Sequence, residues 1–176
     1  IKTPDDLNAG VHLPTLAVLR KLSRKEMKAE VMTIAEPRSP FAESVRALRT
    51  NIQFSSVDRP VRTLLVTSAG PAEGKTMVAA NLAGVLAQAG LKVVVVDANL
   101  RRPSLHRLFN RPNRFGLTEV MLTKDAHLEQ AYQTTGQENL VVLTSGRLPP
   151  NPAELLNTDK LAKFVAKPPV TGGVFD

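Results

Sequence analysis

The sequence predicts an α/β fold in which a mostly parallel sheet is flanked by helices. Three observations predict it. RTLLVTSA (62–69), LKVVVVDAN (91–99) and LVVLTSG (140–146) are short, continuous apolar runs, as expected of strands covered on both faces. MVAANLAGVLAQAG (77–90), between the first two, has helical apolar spacing. Strand, helix, strand alternation of this kind calls for parallel strands joined by a right-handed crossover. With 176 residues, 43% of them hydrophobic, the chain can bury one core.

In chain order, residues 1–36 read as an approach segment. LPTLAVL (13–19) suits one short strand, and RKLSRKEMK (20–28) is either a solvated basic face or a segment facing anionic lipid. Glu36-Pro37-Arg38-Ser39-Pro40 breaks the chain. FAESVRALRTNIQF (41–54) then sets Phe41, Val45, Leu48 and Ile52 at helical spacing, with Ser39-Pro40 as the helix start and Asp58-Arg59-Pro60 beyond its end. The 62–69 strand follows, then the Ala-rich helix with Gly90 as its stop. RPSLHRLFN (102–110) and GLTEVMLT (116–123) suit short helices. Asn151 as cap and Pro152 at the first helical position begin a helix over 153–165. The tail AKPPVTGGVFD has no clear period, and the chain has no internal repeat.

Composition narrows the function. The net charge of +7 suits a polyanionic partner: a nucleotide, a nucleic acid or an acidic membrane surface. One Tyr, no Trp and six Phe disfavour an RNA-stacking module. The absence of cysteine excludes disulfide scaffolds and cysteine zinc sites. No run approaches the roughly 20 apolar residues of a membrane span. The start, IKTPDD, has neither an initiator Met nor signal-peptide character, so a longer parent is expected.

Ala69-Gly70-Pro71-Ala72-Glu73-Gly74-Lys75-Thr76 approximates GxxxxGK[ST], with Ala for the first Gly, between an apolar run and a helix. In such a loop the backbone N–H groups curl around phosphate oxygens and the helix N-terminus adds partial positive charge. Gly70, Ala72, Glu73, Gly74, Lys75, Thr76 and Met77 are the candidate nucleotide-binding residues. Lys75 would reach the β- and γ-phosphates and the Thr76 hydroxyl would ligate Mg²⁺. The competing reading is an ordinary turn with a surface lysine.

Asp97 ends the second apolar run, at the strand edge where ligands of open α/β sheets gather. Its carboxylate could hold Mg²⁺ directly or through water, accept a proton from a hydroxyl nucleophile, or merely cap a helix. Asn99 could bind a metal-linked water but cannot act as a base. Arg101 and Arg102 could pair with phosphate, with a neighbouring subunit, or with solvent alone.

TSAGPAEGKT (67–76) followed by VVVVDANLRRP (93–103) resembles the Walker A and A′ motifs of the bacterial tyrosine kinases, the P-loop ATPase domains of capsular and exopolysaccharide co-polymerases related to the Min and Par ATPases. Glu43, Arg46 and Arg49 match that family's ExxRxxR helix, GRLPPNPAELL (146–156) resembles a further family segment, and IKTPDDLNAGVHLPTLAVL resembles the linker after its second membrane helix. The chain departs from the pattern at Ala72, where the family has glycine, and at Asn99, the second acidic position of DxDxR. No Walker B strand with its Asp is visible, so the sheet is expected to be incomplete at the C-terminus.

The resemblance implies a juxtamembrane linker over 1–36 and a truncated P-loop kinase domain over 37–176. It implies ATP and Mg²⁺ as cofactors, Lys75 and Asp97 as catalytic residues, and Thr76, Asp97 and Asn99 about the metal. It implies a ring of copies joined through Glu43, Arg46 and Arg49, at the cytoplasmic face of the bacterial membrane, with a membrane-spanning co-polymerase region on the same or a partner chain. The acceptor would be the tyrosine-rich tail of a neighbouring subunit. Tyr132 lies mid-domain and reads as a structural or surface tyrosine. Two alternatives stand beside the kinase: a nucleotide-gated scaffold without kinase chemistry, and a Min/Par-like ATPase.

Overall fold

The Val-rich run at 93–96 and the Leu/Val run at 140–143 form the parallel pair at the heart of the molecule. The structure, a computed structural model, describes residues 13–23, 26, 31–55, 61–123 and 128–166. Its helices are α1 (Met32–Ala35), α2 (Pro40–Phe54), α3 (Lys75–Gln88), α4 (Leu105–Leu108), α5 (Leu117–Leu122), α6 (Leu128–Ala131), α7 (Pro152–Leu156) and α8 (Asp159–Ala166). Its strands are β1 (Val93–Val96), β2 (Tyr132–Thr134) and β3 (Leu140–Leu143), in the order β1-β3-β2. β1 runs parallel to β3 with Val93 opposite Leu140 and Val96 opposite Leu143, and β2 runs antiparallel to β3.

Side chains alternate across this sheet, and both faces are covered. Val93, Val95, Leu140 and Val142 pack against Ala80, Ala83 and Ala87 of α3 with Leu105 and Phe109. Val94, Val96, Val141 and Leu143 pack against Leu117, Val120, Leu155 and Phe164. The small alanines of α3 let it lie close to the sheet. Its opposite face, Leu82 and Val85, packs on Phe41 and Val45 of α2. A helix that is apolar all round is thus sandwiched between the sheet and α2. The α1–α3 contact is tighter still: a Cβ at Gly84 would lie 2.6 Å from the Thr33 hydroxyl. There the buried Asn81 accepts from Thr33 N at 2.8 Å and donates to the Met77 carbonyl at 2.8 Å, so its amide is satisfied inside the core.

Local signals placed several boundaries correctly. Ser39 Oγ accepts from Ala42 N at 3.2 Å and Pro40 opens α2. Gly90 follows α3 with φ 85°. Other expectations are corrected. Residues 62–69 form no strand: Leu64 and Leu65 are 46% and 83% exposed, and the run has no ladder partner among the described residues. An apolar run becomes a strand only where a neighbouring strand takes its backbone groups. Residues 13–19 likewise form no strand; this stretch lies along α2, where Asn51 Nδ2 donates to the Leu16 carbonyl at 2.6 Å. The helix expected over 153–165 is two helices, broken where the Thr158 hydroxyl donates to Leu155 O at 3.1 Å and accepts from Leu161 N at 3.3 Å. Asn151 precedes α7 but donates to Glu154 Oε2 at 2.8 Å instead of capping backbone N–H groups. Of the basic stretch 20–28, Arg20 pairs with Glu26, which draws the Glu26 carboxyl down to about 2. The start (1–12) and the tail (167–176) lie outside the described residues, with the expected beginning of a further strand there. No helix among the described residues is long and apolar enough to cross a membrane.

Candidate functional site

The loop 69–74 runs directly into α3, and its conformation follows from two left-handed residues. Gly74 is the N-cap of α3 at φ 89°, and Ala72 stands at φ 61°. Glycine adopts this region freely, whereas alanine does so against its Cβ. The chain's departure from glycine at 72 therefore falls on a position whose backbone asks for one. Inside the loop, Glu73 Oε2 accepts from Gly70 N at 2.9 Å, and Ser68 Oγ donates to the Gly70 carbonyl at 2.8 Å. Lys75 Nζ donates to Ser68 Oγ at 3.3 Å, so the ammonium turns back along the loop.

Asp97 follows β1 directly, and its own N–H donates to Leu143 O at 2.9 Å, extending the β1–β3 ladder by one bond. It is 4% exposed. Oδ2 accepts from Ser104 N and Leu105 N, both at 2.9 Å, and Oδ1 accepts from Asn99 N at 3.1 Å. The carboxylate therefore fastens the start of α4, as the capping reading expected, and is held rigidly by doing so. Ser104 then reaches the phosphate loop: its Oγ donates to Thr76 Oγ1 at 3.2 Å. Through this one serine the structure brings Thr76 and Asp97 together. The sequence reading did not single out Ser104; its place just before LHRL marked a helix start, and its second bond depends on the tertiary approach of α3.

Met77 packs under α2 rather than at the loop surface. Asn99 exchanges two bonds with Arg102, accepting from its N–H at 3.1 Å and donating to its carbonyl at 3.0 Å. Both amide atoms of Asn99 are thus engaged in closing the loop after β1. Glu43, Arg46 and Arg49 lie on α2, apart from this loop cluster. Arg46 donates to Glu43 Oε2 from Nε at 3.0 Å and from Nη2 at 2.5 Å, and Nη1 donates to Pro37 O at 2.9 Å. Arg49 donates to Val85 O of α3 at 3.2 Å, while its Nε is shielded from solvent without a partner.

Two further groups carry shifted acidities. His106, on α4 beside the Asp97 cap, has a solvent-shielded Nδ1 without a partner. Partial burial, then the charge of Arg107, lowers its pKa below 6.5, against the opposing pull of Asp97. Tyr132 is 8% exposed, its hydroxyl has no partner, and burial pushes it up to about 12. It is a core residue.

No group of three or more His, Cys, Asp or Glu side chains is arranged to hold a metal among the described residues. The Thr76 hydroxyl with the Asp97 carboxylate is an all-oxygen set, which suits Mg²⁺ that keeps several waters and takes further oxygens from phosphate.

Comparison with known proteins agrees with this geometry. The CobQ/CobB/MinD/ParA nucleotide binding domain matches residues 64–165. Tyrosine-protein kinase YwqD of Bacillus subtilis (strain 168) is 49% identical over 140 residues, covering 80% of this chain and 59% of that protein. The chain thus spans a little over half the length of that relative. The crystal structure of the chimerical protein CapA2B2 superimposes with a TM-score of 0.82 at 36% identity, over 92% of this chain and 68% of that one. The kinase domain of Escherichia coli tyrosine kinase ETK does so with a TM-score of 0.82 at 32% identity, over 93% and 67%.

Proposed function

This chain belongs to the CobQ/CobB/MinD/ParA nucleotide-binding family, among its bacterial tyrosine-kinase domains, and on that premise we propose that it transfers the γ-phosphoryl group of ATP to tyrosines of a neighbouring subunit. The observation that carries the reading is the Thr76–Ser104–Asp97 chain of hydrogen bonds, which ties the phosphate loop to a buried carboxylate at the end of β1. In this reading the amides around Gly74 and the Lys75 ammonium hold the phosphates and stabilise charge on the transferring group. Thr76 and Asp97 would hold Mg²⁺, which neutralises phosphate charge. Asp97 would accept the proton of the tyrosine hydroxyl as the tyrosine oxygen attacks the γ-phosphorus and the bond from that phosphorus to the bridging oxygen breaks, releasing ADP. Asp97 is locked by three N–H donors, so little reorganisation is needed when the acceptor arrives.

The proposed setting is a ring of copies at the cytoplasmic face of the membrane, serving capsular or exopolysaccharide synthesis, with Glu43, Arg46 and Arg49 of α2 at the contact between copies. The test is Lys75→Ala in the full-length protein. ATP-dependent phosphotyrosine should disappear, and unchanged phosphorylation would refute the assignment. One observation favours a second reading, a nucleotide-gated scaffold: Asn99 supplies no second carboxylate, and its amide is taken up by Arg102. Nucleotide-dependent assembly with no phosphotyrosine under any condition would select it.

A further inference from the structure

The loops beyond the C-terminal ends of β1 and β3 carry an excess of unneutralised arginine. Residues 97–119 and 144–151 contain six arginines, two carboxylates and no lysine, although the chain as a whole has 23 Lys and Arg together. Both carboxylates face backbone N–H groups, and neither pairs with an arginine. Asp97 takes the N–H groups of Asn99, Ser104 and Leu105. Glu119 takes Gly116 N at 2.8 Å and Arg147 N at 3.2 Å. The ion pairs among the described residues lie elsewhere, at Arg20–Glu26 and Arg46–Glu43. Arg101, Arg102, Arg114 and Arg147 are exposed, and their guanidinium groups have no partner among the described residues.

These four stand on loops that converge. Val96 and Leu143 are in register, so the loops bearing Arg101 and Arg147 leave the sheet side by side. Asn113, next to Arg114, donates to Ser145 Oγ and to Gly146 O, both at 3.0 Å. Leu117 N donates to Thr144 O at 2.8 Å, and Leu100 packs in the same cluster as Leu117. The backbone beneath the arginines is therefore rigid, while their heads are free.

We propose that this arginine rim binds the acidic residues flanking an acceptor tyrosine, so that the substrate is an acidic peptide segment laid across the mouth of the site towards Asp97. The proposal rests on the kinase reading for the identity of the acceptor. Arginine without lysine fits bidentate pairing with carboxylates. A nucleic-acid strand would want exposed aromatic platforms, but of the two aromatics on these loops Phe109 is buried and Phe115 is half-buried against the core cluster.

The test is fluorescence anisotropy on the full-length protein with a labelled peptide in which Phe replaces the tyrosine, flanked by glutamates or, in a control, by glutamines. The acidic peptide should bind roughly tenfold more tightly, and added salt should erode the difference. Arg114→Ala with Arg147→Ala should abolish the preference without changing affinity for an ATP analogue. On the tyrosine peptide the same variant should raise the peptide KM and leave kcat and the ATP KM as they were. Equal affinity for the two peptides, or a preference that survives the double substitution, overturns the proposal. So does binding to anionic vesicles or duplex DNA that the double variant loses while the peptide preference persists. If the acidic peptide binds as expected but its tyrosine form is never phosphorylated, the rim stands and the kinase reading fails.

Discussion

Ala72→Gly tests the phosphate loop's geometry from its least comfortable residue. Ala72 stands at φ 61° and is exposed, so its methyl group loses little packing when removed. A left-handed backbone costs an L-residue roughly 1–2 kcal/mol. Glycine escapes that cost but loses roughly 0.5–1 kcal/mol more backbone entropy on folding. The difference predicts a gain of about 0.5–1 kcal/mol for Ala72→Gly. With a urea slope of roughly 1–3 kcal/mol/M, the unfolding midpoint should rise by roughly 0.2–1 M with the slope unchanged. The mirror substitution, Gly74→Ala, should lose about 1 kcal/mol. Nothing lies within 4 Å of a Cβ built at Gly74, so the loss there would be one of backbone conformation alone. Urea unfolding of the two variants beside the parent is sufficient. A lower midpoint for Ala72→Gly would refute the left-handed assignment at 72.

Three other outcomes follow from the same structure. Tyr132 is the single tyrosine in a chain without tryptophan, so phenolate absorbance reports it alone. It should titrate near 12 when folded and near 10 when unfolded. Because the folded value is the higher, stability should fall as pH rises from about 10 through about 12. Tyr132→Phe removes a buried hydroxyl without a partner and should gain about 1 kcal/mol in urea unfolding, leaving phosphorylation intact. His106 has its pKa lowered below 6.5, so the unfolded chain binds the extra proton and stability falls as pH drops from 6.5 through the lowered value. His106→Gln should lose less stability than the parent between about pH 7 and pH 5.5, and equal losses would contradict the burial argument. Arg46→Ala with Arg49→Ala should reduce the particle mass by light scattering while the fold persists, since a helix-surface pair such as Glu43–Arg46 contributes only about 0.2–0.5 kcal/mol. An unchanged mass would remove the proposed interface.

What the sequence made legible were features decided locally. Ser39-Pro40 and Gly90 mark helix boundaries by backbone preference alone. The Val run at 93–96 and the Leu/Val run at 140–143 announced burial on two faces. What stayed illegible depends on distant partners. Leu64 and Leu65 have strand composition, but composition does not say whether a neighbouring strand is present to pair with. β2, three residues long at Tyr132–Thr134, is too short to show a period and exists because β3 offers an edge. Ser104 looks like one more helix-start serine until α3 brings the Thr76 hydroxyl within reach. The same applies to Glu119, whose carboxylate serves the backbone at Arg147, 28 residues further along the chain.

The most direct measurement is a crystal structure of the protein with a non-hydrolysable ATP analogue and magnesium. Phosphate oxygens should be held by the amides around Gly74 and by Lys75, with the metal beside Thr76 and Asp97. Nucleotide bound elsewhere, with the loop from Ala69 to Thr76 unchanged and empty, would contradict it.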